Sequence, residues 1–285
     1  MVASFPNIVP ENNLRLPDAL TVKHGPAPLL SRFVLAGDKC VRDAGIRLRL
    51  RHDFDELVYI NKQATQNGTW FPLINMFNPL HTDLTPEDSY WLSGERDNGD
   101  IVMTWAARVY HWPETSFKEQ ASELFCTRDG RRQPAVVTAP DAADITGVVF
   151  WGGSFWIHPD FRHLGLSPLL GRLGRCFAVS RWPLDWIMCL VSPALVQKGV
   201  ADDYGYRHLS PSVFFPGSPL GDNIEFVLAY LSAEEAYEDF AAFFERELSP
   251  SAAAGEAAAS PPSRLLHTVT STSSVPVFHG SRNRS

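Results

Sequence analysis

The chain has 285 residues, 45% of them hydrophobic and 20% charged, a composition that suits a globular protein with one sizeable core. A net charge of −7 without a basic run excludes the electrostatic footprint of a nucleic-acid binder. The four cysteines show no Cys-x-x-Cys spacing and no grouping with histidine, which argues against a metal site, and no apolar run approaches the ~20 residues of a membrane span.

Residues 1–45 read as a proline-punctuated N-terminal arm, with a helix in PLLSRFVLAGDKCVRDAG. Its opening, MVASFPNIVPENN, lacks the basic and apolar regions of a secretory signal, so a reducing, cytoplasmic location is expected. In GIRLRLR apolar and basic residues alternate with period two, which predicts a strand with one solvated face. Asp53 and Glu56 form a capping-box pattern before the helix FDELVYINKQATQ, which Asn67-Gly68 stops. The aromatic, proline-broken TWFPLINMFNPLHTDL reads as a loop with short helical turns, and Thr85-Pro86-Glu87-Asp88 as another helix start. Asp97-Asn98-Gly99 predicts a hairpin between WLSGER and DIVMTWAARVY.

An insertion is expected over about 111–145, with a short helix in SFKEQASELF. GVVFWGGSFWI reads as a strand in which Gly152 and Gly153 suggest a bulge or a close backbone approach. Leu166, Leu169, Leu170, Leu173 and Phe177 then recur at helical spacing, and LDWIMCLV is the all-apolar strand of a sheet covered on both faces. Cys176 and Cys189 lie inside these apolar segments, where a thiol acts as a small buried hydrophobe. A short helix over about Ala194 to Asp203, the strands SVFF and IEFVLAYL, and the amphipathic helix AEEAYEDFAAFFERE follow. Residues 249–285 are an Ala/Ser/Pro/Thr-rich tail, expected to be disordered because it cannot bury enough surface to fold. This order describes one α/β domain with a mixed sheet.

One stretch carries chemistry. In WIHPDFRHLGLSPLL a strand ends at Ile157-His158-Pro159, and a helix begins near Ser167-Pro168. A helix N-terminus presents unpaired N–H donors and a partial positive charge, so it is a ready anion site. Gly165 has no Cβ and lets backbone approach a ligand, while Ser167 can cap the helix that Pro168 starts. A plain strand–helix corner without a ligand is the alternative.

Strand-Pro-x-x-Arg-x-x-Gly-x-small-helix resembles the acyl-CoA pyrophosphate loop of the GNAT superfamily of N-acetyltransferases, whose pattern is Arg/Gln-x-x-Gly-x-Gly/Ala. Ser167 in the last small position is a departure. The element order from about residue 46 to 232 also follows the family's course, and Gly205-Tyr206 stands where the family has a late Gly-Phe. The resemblance implies a single GNAT-like domain over 46–248, with a mixed, mostly antiparallel sheet splayed at an acyl-CoA site and helices on both faces. It implies acetyl-CoA as co-substrate, with no metal. Ile157 would bond the pantetheine or thioester end. The amides of His163, Leu164, Gly165, Leu166 and Ser167 would hold the pyrophosphate, and Arg162 or Arg172 would meet phosphate oxygens.

For the transfer itself, His158 at the strand end is the candidate proton acceptor, with Asp160 nearby. The tyrosine that the family often places four residues before its Gly-Phe is Ala201 here, so Tyr204 is the substitute candidate for protonating the leaving thiolate. The family's upstream asparagine has no clear counterpart. The expected acceptor is a small-molecule amine or amino acid, under an aromatic loop of Trp70, Phe71 and Phe77. No nucleic-acid or membrane partner is expected, and a homodimer stays open. Two rivals remain: a catalytically inactive module that binds CoA or a protein partner, and a purely structural domain.

Overall fold

Leu48 and Leu50 are buried while Arg47 is exposed and Arg49 and Arg51 half-buried, as the alternation requires. The computed structural model describes residues 13–122, 124, 135–216 and 224–249. The tail from 250 onward, the middle of the expected insertion (125–134) and residues 1–12 lie outside them. The first half of the chain runs β1 (Leu14–Arg15), α1 (Leu16–Ala19), α2 (Ala27–Asp43), β2 (Arg47–Arg51), α3 (Phe54–Gln66), β3 (Ser89–Glu95), β4 (Ile101–Trp112) and α4 (Phe117–Gln120). The second half runs β5 (Val136–Val137), β6 (Gly147–Ile157), α5 (Ser167–Arg181), β7 (Trp186–Val191), α6 (Pro193–Gln197), α7 (Val200–Asp203), β8 (His208–Phe215), β9 (Ile224–Ser232) and α8 (Ala233–Phe243).

The fold is α/β, with one nine-stranded sheet in the order β1-β2-β3-β4-β6-β7-β9-β8-β5. Among the described residues β6 and β7 pair in parallel and the other neighbours antiparallel. Phe33 of α2, Leu173 and Phe177 of α5 and Phe240 of α8 bury one face of the sheet. Phe54 and Leu57 of α3, with Phe77, Trp112 and Trp151, bury the other. Each outer edge strand, β1 and β5, is two residues long, and Pro211 sits in β8 beside the latter.

The parallel pair is short. Val149–Trp151 meet Trp186–Met188, after which β6 continues against β4 as far as Ile157 and β7 against β9 as far as Val191. A bulge turns β6 away: between Thr104 and Ala106 of β4 the partners jump from Trp156 to Gly153, leaving one extra residue on β6. Ser154 lies in that jump with φ 48°, a value a serine rarely adopts. Gly152 supplies the expected close approach, since a Cβ there would lie 2.8 Å from the Trp105 ring.

Some local expectations are corrected. Thr85–Asp88 forms a turn that feeds β3 directly, because the Asp88 carboxylate accepts from Thr85 N–H at 3.0 Å instead of starting a helix. The capping box at Asp53 is half built: Asp53 accepts from Asp55 and Glu56 amides, while Glu56 is drawn to Arg51 at 2.8 Å. The helix over 194–203 is two pieces, α6 and α7, broken at Gly199 with φ 76°. No helix among the described residues is long and apolar enough to cross a membrane.

Candidate active site

The parting of β6 and β7 sets the site. His158 N–H donates to Val102 O at 2.8 Å, which makes Met103–Ile157 a non-hydrogen-bonded pair of the antiparallel ladder. Ile157 therefore turns its own N–H and C=O away from β4, toward the gap. Its carbonyl accepts from Arg162 Nε at 3.0 Å, and its amide is left facing the opening.

From there Pro159–Leu164 make a 3₁₀ turn that ends at Gly165 with φ 66° and ψ 13°, the left-handed conformation that favours glycine. Leu166 is the N-cap of α5 and no side chain caps the helix. The expected cap by Ser167 is thus corrected: Ser167 is the first helical residue, too far along to reach back, and it hydrogen-bonds Tyr204 instead. The amides of Leu166, Ser167 and Leu169 precede the first i→i−4 donor of the helix, Leu170 N–H to Leu166 O at 2.9 Å. Leu166 is buried, Leu164 half-buried, and His163 and Gly165 are exposed at the mouth.

The two arginines differ. Arg162 is exposed and ties the turn to the α3 loop, donating to Thr69 O at 3.0 Å as well as to Ile157. Arg172 is buried and held by both Asp239 oxygens, at 2.8 and 2.9 Å, so it is not free to meet a phosphate. One turn further along α5, Arg175 is buried too, donating to the Tyr204 carbonyl, lying 3.6 Å from Asp239 and stacking over the Tyr206 ring at 4.8 Å. Two guanidiniums share the Asp239 carboxylate here, inside the second and third turns of α5. Sequence reasoning missed Arg175. The available signal was a second arginine at i+3 from Arg172 inside an otherwise apolar stripe.

Tyr204 reaches the gap from beyond β7. Its ring packs 5.8 Å from Phe155 of β6, and burial pushes its hydroxyl up to about 12 although the Ser167 hydrogen bond opposes the shift. The structure therefore brings Tyr204, Ser167 and the far end of β6 together. Ala201, the position of the family tyrosine, is a buried packing residue. Nearby Cys189 is pushed up to about 11, by burial against a lowering hydrogen bond to Tyr206, so it is a thiol and not a nucleophile at neutral pH.

His158 lies at the other rim. Its Nδ1 accepts from Asp160 N–H at 3.3 Å and lies 3.7 Å from the Asp160 carboxylate. The first contact puts the ring proton on Nε2; the second favours it on Nδ1. Only the second tautomer leaves Nε2 able to accept a substrate proton. Beside it Trp156 stacks on Trp70 at 5.6 Å, so the loop aromatic does cover the end of β6. Phe71 is exposed, and Phe77 is core, buried against Phe54 at 6.3 Å. Among the described residues no group of three or more His, Cys, Asp or Glu is placed to hold a metal ion.

No protein-family model and no curated protein sequence matches the chain. It is similar to solved structures of acetyltransferases. The aminoglycoside acetyltransferase AAC(6')-Ib in complex with coenzyme A and kanamycin shares 14% identity over 71% of this chain and 99% of its own, with a TM-score of 0.38. Spermidine N-acetyltransferase from Vibrio cholerae, with CoA and spermine, shares 10% over 76% and 97%, with a TM-score of 0.31. A GNAT-superfamily phosphinothricin acetyltransferase from Sinorhizobium meliloti, with AcCoA, shares 12% over 75% and 88%, also at 0.31. Likeness at this level carries no functional argument, which rests on the chain's own geometry.

Proposed function

We propose that the chain is a GNAT-type, acyl-CoA-dependent N-acyltransferase that moves an acetyl group to a small amine, its domain at 46–248 joined by β1 and α2 of the expected N-terminal arm, which pair with its sheet and fill its core. The observation that carries the reading is the parting of β6 and β7 after Trp151 and Met188, directly before an uncapped 15-residue helix. A gap in a sheet exposes backbone N–H and C=O groups with which a narrow polar chain can pair in place of water. An uncapped helix N-terminus favours an anionic group at the mouth. Acyl-CoA combines these features, a pantetheine arm and a pyrophosphate.

In this reading the amides of His163, Leu164, Gly165, Leu166 and Ser167 hold the pyrophosphate, and Arg162 adds charge at the rim. The Ile157 amide steadies the thioester oxygen as it becomes an oxyanion. His158, in its Nδ1–H tautomer against Asp160, accepts the amine proton as the C–N bond forms. As the C–S bond breaks, Tyr204 keeps its proton and donates a hydrogen bond to the departing thiolate, which is protonated from water as His158 returns the amine proton to solvent. Trp70 and Trp156 favour an acceptor with an apolar portion.

A second reading, a module that holds acyl-CoA without transfer, draws support from the Tyr204 hydroxyl being tied to Ser167. The decisive experiment is calorimetric titration of acetyl-CoA into the full chain, Gly165→Ala and Gly165→Glu, followed by thiol release with a panel of amines. Alanine adds a Cβ and the strain of the positive φ, while glutamate adds to these a charge against the pyrophosphate. Binding by wild type and loss in the glutamate variant, well beyond any loss in alanine, supports the site. Thiol release with an amine then supports transfer, and binding without release favours the module. If wild type binds no acyl-CoA, both readings fall.

A further inference from the structure

After α3 the chain runs through residues 69–73 without helix or strand, so other segments must hold its backbone groups. On the α3 side, Thr69 N–H and Oγ1 both donate to Ala64 O, at 2.9 and 3.0 Å. Asn61, buried in α3, holds the other half of the loop with one side-chain amide. Its Nδ2 donates to Phe71 O at 2.7 Å, and its Oδ1 accepts from Leu73 N–H at 2.9 Å. On the side facing the turn after β6, Arg162 donates to Thr69 O, a bond that joins residues 93 positions apart.

Arg162 uses one edge of its planar fork for two bonds: Nε donates to Ile157 O and Nη2 to Thr69 O, each at 3.0 Å. Its charge stays at the rim, but these hydrogen bonds bridge the last residue of β6 and the loop. Next to Thr69 is Trp70, whose ring stacks on Trp156 at 5.6 Å and 18°. Trp156 in turn stands edge-on to His158, at 5.9 Å and 87°. Through Thr69 O, then, Arg162 fixes where the Trp70 wall stands relative to the imidazole proposed to take the amine proton. A shift of that wall displaces an acceptor packed against it, and misplacement by about 1 Å can cost about 10²-fold in rate.

We propose that Arg162 is a positioning residue for the acceptor, locking the loop that carries Trp70 to the turn that takes acyl-CoA. The role rests on the acyl-transfer reading above. Lysine is the discriminating substitution, because it keeps the charge at the rim but has no edge with which to bridge two carbonyls. Arg162 is exposed, so Arg162→Lys should fold and melt with wild type. Its Kd for acetyl-CoA, by calorimetry, should stay within about twofold of wild type. The KM for the amine should rise about tenfold in a thiol-release assay with 2-phenylethylamine, butylamine and spermidine. A second readout needs no turnover: the exciton dichroism of the Trp70–Trp156 stack, isolated as the difference from Trp70→Phe, should shrink in Arg162→Lys. The role is overturned if either the amine KM or the dichroism is unchanged; weaker acetyl-CoA binding with an unchanged amine KM would make Arg162 a phosphate contact instead. A wild type that turns over none of these amines sinks the role together with transfer, whereas an active wild type matched by Arg162→Lys sinks the role alone.

Discussion

Tyr204 and His158 divide the proposed chemistry unequally. A phenol held to about 12 remains protonated throughout the neutral range, but it is a reluctant proton source for a thiolate whose free pKa is near 8.5. Its contribution is then a hydrogen bond that strengthens as the C–S bond breaks. Tyr204→Phe is expected to lower kcat about 10²-fold, with little change in the KM for acetyl-CoA, by steady-state kinetics. A raised KM with intact kcat would instead make Tyr204 a wall of the mouth. The loop residues were legible because Pro, Arg and Gly at fixed spacing after an apolar strand demand a particular backbone, and Gly165 adopts the left-handed conformation there. Ser154 was not legible, since nothing in its identity announces a positive φ; the neighbouring glycines hinted only at a bulge nearby. Arg175 was hidden by its company, a charged residue whose partners come from segments 29 and more residues away.

At the scale of elements, α5 is locked from several sides. A Cβ on Gly174 would lie 2.1 Å from the Trp105 ring, and one on Gly37 of α2 would lie 2.7 Å from Leu173. The Gly174 carbonyl accepts from Tyr90 OH at 2.7 Å. Arg172 joins α5 to α8 through Asp239 and to the end of α7 through Asp203 O at 2.7 Å. Asp239→Ala leaves two guanidiniums buried without their carboxylate, and should cost about 3–5 kcal/mol in chemical denaturation. An effect below about 1 kcal/mol would mean that water reaches the cluster. Helices and strands with unbroken periodicity were readable: α3, β4, β6, α5 and β7 fall where the apolar pattern put them. Two misreadings arose where a side chain took a partner other than the expected one, as Asp88 did with Thr85 and Glu56 with Arg51, and a third where Gly199 broke the helix expected over 194–203.

For the molecule as a whole, burial stores an alkaline liability. Tyr230, like Tyr204, is held up to about 12, chiefly by burial and then by a hydrogen bond with Asp141, and Cys189 to about 11. In the unfolded chain phenols ionise near 10 and thiols near 8.5. Their folded values are raised, so the stability they contribute is fully present below about pH 8.5 and is lost as pH rises through about 11 to 12. The melting temperature should be flat from pH 7 to about 8.5 and fall steadily above it. A flat profile to pH 11 would show these groups to be solvated.

Sheets aggregate through exposed edges, and this one has blunted both. The two-residue strands β1 and β5, the arginines of β2 and Pro211 of β8 leave little outer ladder for another chain to join. The unsatisfied ladder of this nine-stranded sheet lies inside, between β6 and β7. The acyl-CoA arm proposed above is thin enough to slip between two strands and brings its own amides to bond them. On that proposal the molecule blunts its rim against a neighbouring protein strand and keeps one berth, at its centre, for a single filament that is not protein.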